Sequence, residues 1–510
     1  MHLIRIRRKQ NMVQDSWNVL SKIKDSKENR ALCPCPVCPS YSNCGGEILY
    51  CGRGPSKCDV EIQGCICNEC SIYLEKGLKG NYYCTKEVVG FNHNLIRKRG
   101  SSEDPESYTK LVNIKDISSK GLSVVGSMGS TKKLPFSFDY IHFIPAQVNR
   151  IPLNHDEDVN TGICIGPSSK KPLQLSSPII ISGMSFGAVS MNVKFVIAKT
   201  ASKLNVGFNS GEGGITEEEL EMARSQMVVQ YATGRFGVDK EILKNAAAVE
   251  IRFGQGAYPG KGSYLPAEKI NPKITELRGL EKGESSYSPA HHPDILNPGD
   301  LEEKVSWLRK LTSGAPVGAK IGCGDIEGDL EVLVDADVDF VSLDGFGGGT
   351  GATDLYVREN VGIPLIAALP RAHKYLDELG VKEDVSILAG GGLRSSADFA
   401  KCLALGADAV TIGTAALIAI NCEQYRVCYS GTCPTGVTTQ NPELMKQLEV
   451  SEGVRKLENY LNISTEEIVN LTRITGKENI SDLNRDDLNA VTRETAFITG
   501  VKCVNGTYVK

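Results

Sequence analysis

Beyond about residue 135, short apolar runs alternate with longer stretches in which apolar residues recur at helical spacing. The pattern predicts strands at 178–182, 206–209, 228–231, 249–253, 317–321, 339–343, 385–389 and 409–412. Eight strands separated by helices is the count of a (β/α)8 TIM barrel, an α/β fold. Nearly every run ends in glycine or polar residues, such as Ser182-Gly183-Met184-Ser185 and Gly390-Gly391-Gly392. Those are the carboxyl ends, where barrel enzymes build their sites. A doubly wound sheet would place its glycine-rich phosphate loop after an early strand. In this chain such loops follow the last two strands.

The regions around the barrel read differently. Residues 1–30 are polar, charged and expected to be helical, and 31–95 form a cysteine-rich module. Residues 96–134 read as a polar linker, 135–445 as the barrel, and 446–510 as a C-terminal helical tail that docks on it. A long insertion, 254–299, follows the fourth strand; loops of that length usually carry function or are disordered.

Composition narrows the class. The chain has 510 residues, 41% hydrophobic and 23% charged, as in ordinary globular proteins. A net charge of −4 gives no reason to expect a nucleic-acid or membrane partner. The run Arg5-Ile6-Arg7-Arg8-Lys9 reads as a solvated terminus, and no signal-peptide core or membrane-spanning run is present, so a cytoplasmic location is expected. Of 17 cysteines, ten fall between residues 33 and 84 and three within 422–433. Such bunching favours metal or cluster ligation over disulfides. Cys164, Cys323, Cys402 and Cys503 stand alone and read as small buried apolar residues.

Several groups carry chemistry. Gly390-Gly391-Gly392 precedes a helix opened by Ser395 or Ser396, and Gly413-Thr414 repeats the arrangement one βα unit later. Glycines let backbone N–H groups crowd an anion, so the pair reads as a phosphate site built by Gly391, Gly392, Gly413 and Thr414. The Asp344–Gly351 loop, with Gly349 and Gly351, suits close approach of backbone to a planar ligand. Lys320, among apolar and small residues on the fifth strand, is expected to face the site and stabilise an anionic flavin or a carboxylate. Gln255 can hydrogen-bond a pyrimidine-like ring edge. Cys422, Cys428 and Cys433 offer three thiolates, suited to a three-iron cluster, with zinc as the alternative. His291 and His292 read as loop or channel residues.

The N-terminal cysteines contain a repeat. Cys33-Pro-Cys35-Pro-Val-Cys38, followed by Tyr41, is echoed 32 residues later by Cys65-Ile-Cys67-Asn-Glu-Cys70, followed by Tyr73. Each copy reads as ligands for an iron–sulfur cluster or structural zinc.

Together these motifs resemble the flavin-binding synthase domain of glutamate synthase. The resemblance rests on Met184-Ser185-Phe186-Gly187, Asn209-Ser210-Gly211-Glu212-Gly213-Gly214, Gln255-Gly256-Ala257, Leu265-Pro266, the Asp344–Gly351 loop and the Cys422/Cys428/Cys433 string, in family order over about three-fifths of the chain. It implies a barrel carrying FMN and a [3Fe–4S] cluster, which reduces 2-iminoglutarate, made from 2-oxoglutarate and ammonia, to L-glutamate. Carried over, Met184, Ser185, Gln255 and Lys320 contact the flavin, Gly349 and Gly351 border it, and Gly391, Gly392, Gly413 and Thr414 hold its phosphate. Lys320, Glu212 and Arg235 line the reacting region as catalytic residues. The chain departs from the family at Lys261, where an acidic residue is usual, at Ser263, where glycine is usual, and at Phe346 and Gly347. Because it opens on Met1-His2-Leu3, it is expected to lack the glutaminase domain of the large bacterial enzymes, and it resembles the short archaeal-type synthase. A separate glutaminase subunit and an electron donor, either ferredoxin or an NADPH-reductase subunit, are the implied partners. An FMN-dependent methylamine–glutamate N-methyltransferase subunit and a non-catalytic electron-transfer subunit are the alternatives.

Overall fold

The computed structural model describes residues 23–78, 82–85, 105–281 and 283–509. The polar N-terminal segment up to residue 22, with its basic run, and the linker residues 96–104 lie outside the described residues. The chain forms two compact units, Met1–Leu122 and Ser123–Lys510.

In the second unit eight parallel strands close a barrel. They are β1 (Ile179–Ile181), β2 (Phe208–Asn209), β3 (Met227–Ala232), β4 (Ala248–Arg252), β5 (Val317–Gly322), β6 (Phe340–Asp344), β7 (Ser386–Gly390) and β8 (Ala409–Ile412). Each pairs with the next, and β8 pairs with β1. The helices α1 (Met191–Leu204), α2 (Glu217–Ala223), α3 (Lys240–Lys244), α4 (Pro298–Leu311), α5 (Ile326–Asp335), α6 (Leu365–Glu378), α7 (Ser396–Ala404) and α8 (Thr414–Ile420) follow the strands in turn. All eight expected strands are present. β3 and β4 are buried along their whole length, so their polar members Gln230, Glu250 and Arg252 must find partners inside the protein. Ser190 caps α1 by accepting from the Val193 amide, and Ser395 caps α7 by accepting from Asp398.

The barrel interior is not wholly apolar. Glu250 of β4 accepts from Asn209 Nδ2 (2.8 Å), Gln230 Nε2 (2.9 Å) and Ser342 Oγ (2.7 Å). Three donors from three other strands satisfy one buried carboxylate, so a polar layer ties β2, β3, β4 and β6 together.

The insertion after β4 is ordered by its own signals. Tyr264–Leu265 pairs antiparallel with Ser286–Tyr287, and Asn271 caps the helix Pro272–Arg278, which ends at left-handed Gly279. The C-terminal region is anchored by α9 (Val450–Ile474), which packs on α1, α7 and α8 through Leu457, Leu461 and Ile468. It is more than a helical tail: Leu488–Ala490 joins Ile141–Phe143 and Lys502–Cys503 in a three-stranded sheet. The expected linker also differs. Pro105–Lys120 is helical, and Val125–Gly126 pairs with Thr353–Asp354, tying the residues after 122 to the barrel unit. Their polar composition hid this, because a two-residue edge pairing leaves no periodic signal.

The first unit is small. Short turns of helix carry the cysteines around a core of Ile23, Leu49, Tyr50, Cys70, Ile72, Leu78 and Tyr83. The reading against disulfides is corrected at one pair, since Cys44 and Cys58 are bonded. Of the lone cysteines, Cys323, Cys402 and Cys503 are buried, and Cys164 is half-buried beside Gln174. No helix among the described residues is long and apolar enough to cross a membrane.

Candidate active site

The carboxyl ends of the strands surround a cleft of about 1100 Å³. Met184, Ser185, Glu212, Gln255, Lys320, Gly349, Gly351, Gly391, Gly392, Gly413, Thr414, Cys422 and Cys428 all line it. Residues spread over more than 240 positions of sequence are thus brought together, most of them because they lie in the loops at the carboxyl ends of the strands, and Cys422 and Cys428 because the segment after α8 returns to the same cleft. Cys433 lies deeper, 6% exposed, its sulfur 3.3 Å from Thr435 Oγ1. Hydrogen bonds to Thr435 and Thr438 outweigh its burial and lower the Cys433 thiol to about 7. Burial raises that of Cys422.

The glycine loops form a tight cradle. Gly391 (φ +121°) and Gly392 (φ +92°) occupy backbone that favours glycine, and a Cβ on Gly391 would meet the Gly345 amide nitrogen at 2.5 Å. A Cβ on Gly349 would meet Thr414 Oγ1 at 2.7 Å. A backbone-lined cradle that side chains would fill and a roomy cleft fit a flavin mononucleotide.

Charge is concentrated on one side. Lys320 Nζ, on β5, lies 3.3 Å from Asp344 Oδ2 and 3.5 Å from Ser182 Oγ, and the residue is 4% exposed. Glu212 is paired with Arg252 Nη2 at 2.6 Å, and Arg252 Nη1 donates to the Tyr258 hydroxyl at 3.1 Å. Burial pushes the Tyr258 phenol well above its ordinary range, so it stays protonated.

Sequence reading missed three residues that the insertion delivers: Tyr258, Lys269 and Arg278. Arg278 borders an adjoining hollow with Ser185, Glu212 and Tyr258. It donates to Ser286 Oγ and Phe186 O, both at 3.0 Å, while its Nε is buried without a partner. Lys269, 2% exposed, donates to Ala188 O (3.1 Å) and Cys428 O (2.9 Å). It clamps the loop after β1 to the cysteine loop. Its burial lowers the ammonium to about 8. Nothing in the sequence singles them out from the other polar residues of the insertion.

Arg235 is not brought to the cleft. Its guanidinium lies 3.8 Å from the Tyr231 ring centroid, pairs with Asp294, and contacts His292 Nδ1 at 2.7 Å. Its place at a strand end is as expected, but the side chain turns toward the insertion, where Asp294 offers a carboxylate partner. His292 is therefore a packing residue between Arg235 and β4. Because the guanidinium can only donate, His292 Nδ1 accepts, and Nε2–H donates to Arg252 O (3.0 Å). That tautomer is neutral, and burial, reinforced by Arg235, lowers His292 from 6.5 to about 4. The unfolded chain binds this proton near pH 6.5 and the folded chain only near 4. Stability from this group is thus fully present above 6.5 and is lost as pH falls toward 4, with a slope of up to about 1.4 kcal/mol per pH unit. Urea unfolding of wild type and His292→Gln across this range should show the shallower pH dependence in the variant; equal slopes would refute the assignment.

The conserved region of glutamate synthase matches residues 110–478. Residues 33–85 match a second region described only as a protein of unknown function, DUF2769. A glutamate synthase large subunit-like protein of Rhizobium meliloti is 38% identical over 428 residues, 80% of this chain and 96% of the relative. The archaeal glutamate synthase (NADPH) of Methanocaldococcus jannaschii is 35% identical over 439 residues, 80% of this chain and 86% of the relative. The archaeal-type glutamate synthase (NADPH) of Dehalococcoides mccartyi is 31% identical over 503 residues, covering 94% and 97%. With the flavin-type cleft, the barrel around it and these matches along nearly whole chains, the protein belongs to the glutamate synthase family of oxidoreductases.

Proposed function

We propose that the chain is a glutamate synthase that reduces 2-iminoglutarate, formed from 2-oxoglutarate and ammonia, to L-glutamate. The observation that carries this reading is the convergence of the glycine cradle, Lys320, the Glu212–Arg252 pair and two cysteines of the C-terminal string on one cleft. The relatives named as archaeal-type synthases support it.

FMN, held by Gly391, Gly392, Gly413 and Thr414 at its phosphate and by Gln255 and Lys320 at its ring, supplies hydride when bound. Cys422, Cys428 and Cys433 would hold a [3Fe–4S] centre, which would supply electrons one at a time. The chain's own groups do the rest. Arg278, bordering the adjoining hollow, and Lys320, in the cleft, are the cations that would face a dicarboxylate. Glu212, fixed by Arg252, orients the substrate end of the cleft, and Tyr258 offers a neutral hydroxyl proton at its wall. Lys320, backed by Asp344, holds positive charge against negative charge that develops on the ring. Ammonia comes from a separate glutaminase subunit or from solution, and electrons from ferredoxin or an NADPH-reductase subunit.

The test is product analysis on anaerobically purified, chemically reduced protein given 2-oxoglutarate and ammonia, with the flavin spectrum followed. Flavin reoxidation with stoichiometric glutamate is expected. A flavin that stays reduced, with no glutamate formed, would overturn the reading.

A further inference from the structure

Ten cysteines lie between residues 33 and 84, and the structure divides them into eight and two. Cys44 and Cys58 bond to one another and have no cysteine counterparts 32 or 33 residues later. The other eight line a single cavity of about 550 Å³. They also extend the repeat. Beyond the triads Cys33/Cys35/Cys38 and Cys65/Cys67/Cys70, offset by 32, the dipeptide Tyr50-Cys51 recurs as Tyr83-Cys84, offset by 33.

The local structure repeats with the sequence. The Cys33 sulfur accepts from the Leu49 amide and the Cys65 sulfur from the Tyr82 amide, both at 3.2 Å. Leu49 and Tyr82 both adopt left-handed backbone, φ +62° and +59°. Non-glycine residues seldom do so, and two at equivalent repeat positions mark a shared demand for aiming an N–H at sulfur. The Cys38 amide donates to Cys35 O at 3.0 Å, and the Cys70 amide to Cys67 O at 3.1 Å. Ser40 stitches the copies together by donating to Gly64 O (2.6 Å) and accepting from Gln63 N (2.9 Å).

We propose that these eight thiols hold two [4Fe–4S] clusters, each triad supplying three ligands and Cys51 and Cys84 supplying the fourth of each. Four cysteines per cube is the ligand count such clusters require. Among the described residues no three donors converge on one point to hold a single ion. Zinc draws its sulfurs to about 3.8 Å from one another, at Zn–S of about 2.3 Å. Thiols spread around a cavity instead suit a polynuclear core that fills it. Apart from the cysteines the wall is Tyr41, Tyr50, Tyr73, Tyr83, Leu78 and a few small or apolar neighbours, without an acidic or basic side chain. Such a wall shields a cluster from water. Because both sets face the same cavity, the two centres are neighbours and can exchange an electron. The site stands independently of the reaction assigned to the barrel.

The test uses the full chain, purified anaerobically. Wild type should contain about eight irons and eight labile sulfides beyond the three-iron centre of the barrel. Each centre takes one electron from dithionite with no bond made or broken, and the two spins should broaden one another in the EPR spectrum. Cys51→Ser and Cys84→Ser should each lose about four irons while flavin content, reporting a folded barrel, is unchanged. Cys44→Ser should keep them all. Zinc without labile sulfide, or full iron in Cys51→Ser and Cys84→Ser, would overturn the proposal. So would wild type that shows no reduced-cluster signal. Loss of iron in Cys428→Ser reports the barrel centre separately, so failure of one reading is not failure of the other.

Discussion

Lys320→Ala is expected to lower kcat about a thousandfold while flavin remains bound. The side chain leaves β5 among buried residues, and its ammonium is held between Asp344 Oδ2 and Ser182 Oγ at the floor of the cleft. A cation fixed in a water-poor site stabilises developing charge without having to reorganise, and a thousandfold change corresponds to about 4 kcal/mol. The folding cost is smaller. Removing Lys320 leaves Asp344 without its ion-pair partner, but Asp344 retains some solvent contact, at 13% side-chain exposure, so a loss of about 1–3 kcal/mol is expected. Lys320→Arg keeps the charge but replaces a compact ammonium by a planar fork in a space bounded by Ser182 and Asp344, and should recover little of the rate. Steady-state kinetics, flavin absorbance and urea unfolding on the same preparations separate these effects. Near-normal turnover in Lys320→Ala would place the side chain outside the chemistry.

Lys320 is legible in the sequence because a lysine inside Val317–Gly322 has few reasons to be there except to face the barrel interior. The strands are legible for a similar reason: period and turn chemistry agree at each one, and the glycine-rich ends mark which end carries the cleft. The insertion behaves differently. Arg278 lies at the end of a short helix whose sequence looks like any surface helix, and only the chain's return over β4 and the Phe186 loop buries it. Lys269 is invisible for the same reason, since its partners Ala188 and Cys428 lie 81 and 159 positions away. Arg235 shows the opposite failure. Its position at the end of β3 points to the cleft, but Asp294 and the Tyr231 face compete for the guanidinium, and local electrostatics sets the rotamer.

The cleft's charges also bear on selectivity. Lys320 and Arg252 already have carboxylate partners, whereas Arg278 is held by a hydroxyl and a carbonyl. In the reading proposed above, Arg278 would anchor an anionic substrate most directly, and the Lys269 ammonium would add positive potential behind the cysteine loop. The departures at Lys261 and Ser263 lie on the same insertion. Lys261 pairs with Asp354 and secures the insertion to the loop after β6, while Ser263 bonds Ser288 Oγ at 2.7 Å and holds the insertion's own two limbs together.

Cys428→Ser is expected to remove about three irons per chain, to leave FMN bound, and to slow flavin bleaching by a reduced one-electron donor at least a hundredfold. The substitution is nearly isosteric, and the loop's anchors do not involve the thiol. Cys428 O accepts from Lys269, and the Tyr429 amide donates to Ser127 Oγ at 3.0 Å. The backbone should therefore keep its course. What changes is the ligand: a serine hydroxyl does not ionise near neutral pH and is a poor partner for iron, so the cluster loses one of three corners. Because Cys422 and Cys428 line the same cleft as the glycine cradle, a centre held there is within direct reach of the flavin. Photochemical reduction, which bypasses the cysteine loop, should bleach wild type and variant alike, and this contrast identifies a lost electron route rather than a damaged flavin site. Unchanged iron together with unchanged bleaching by the one-electron donor would show that the Cys428 thiol is not a ligand.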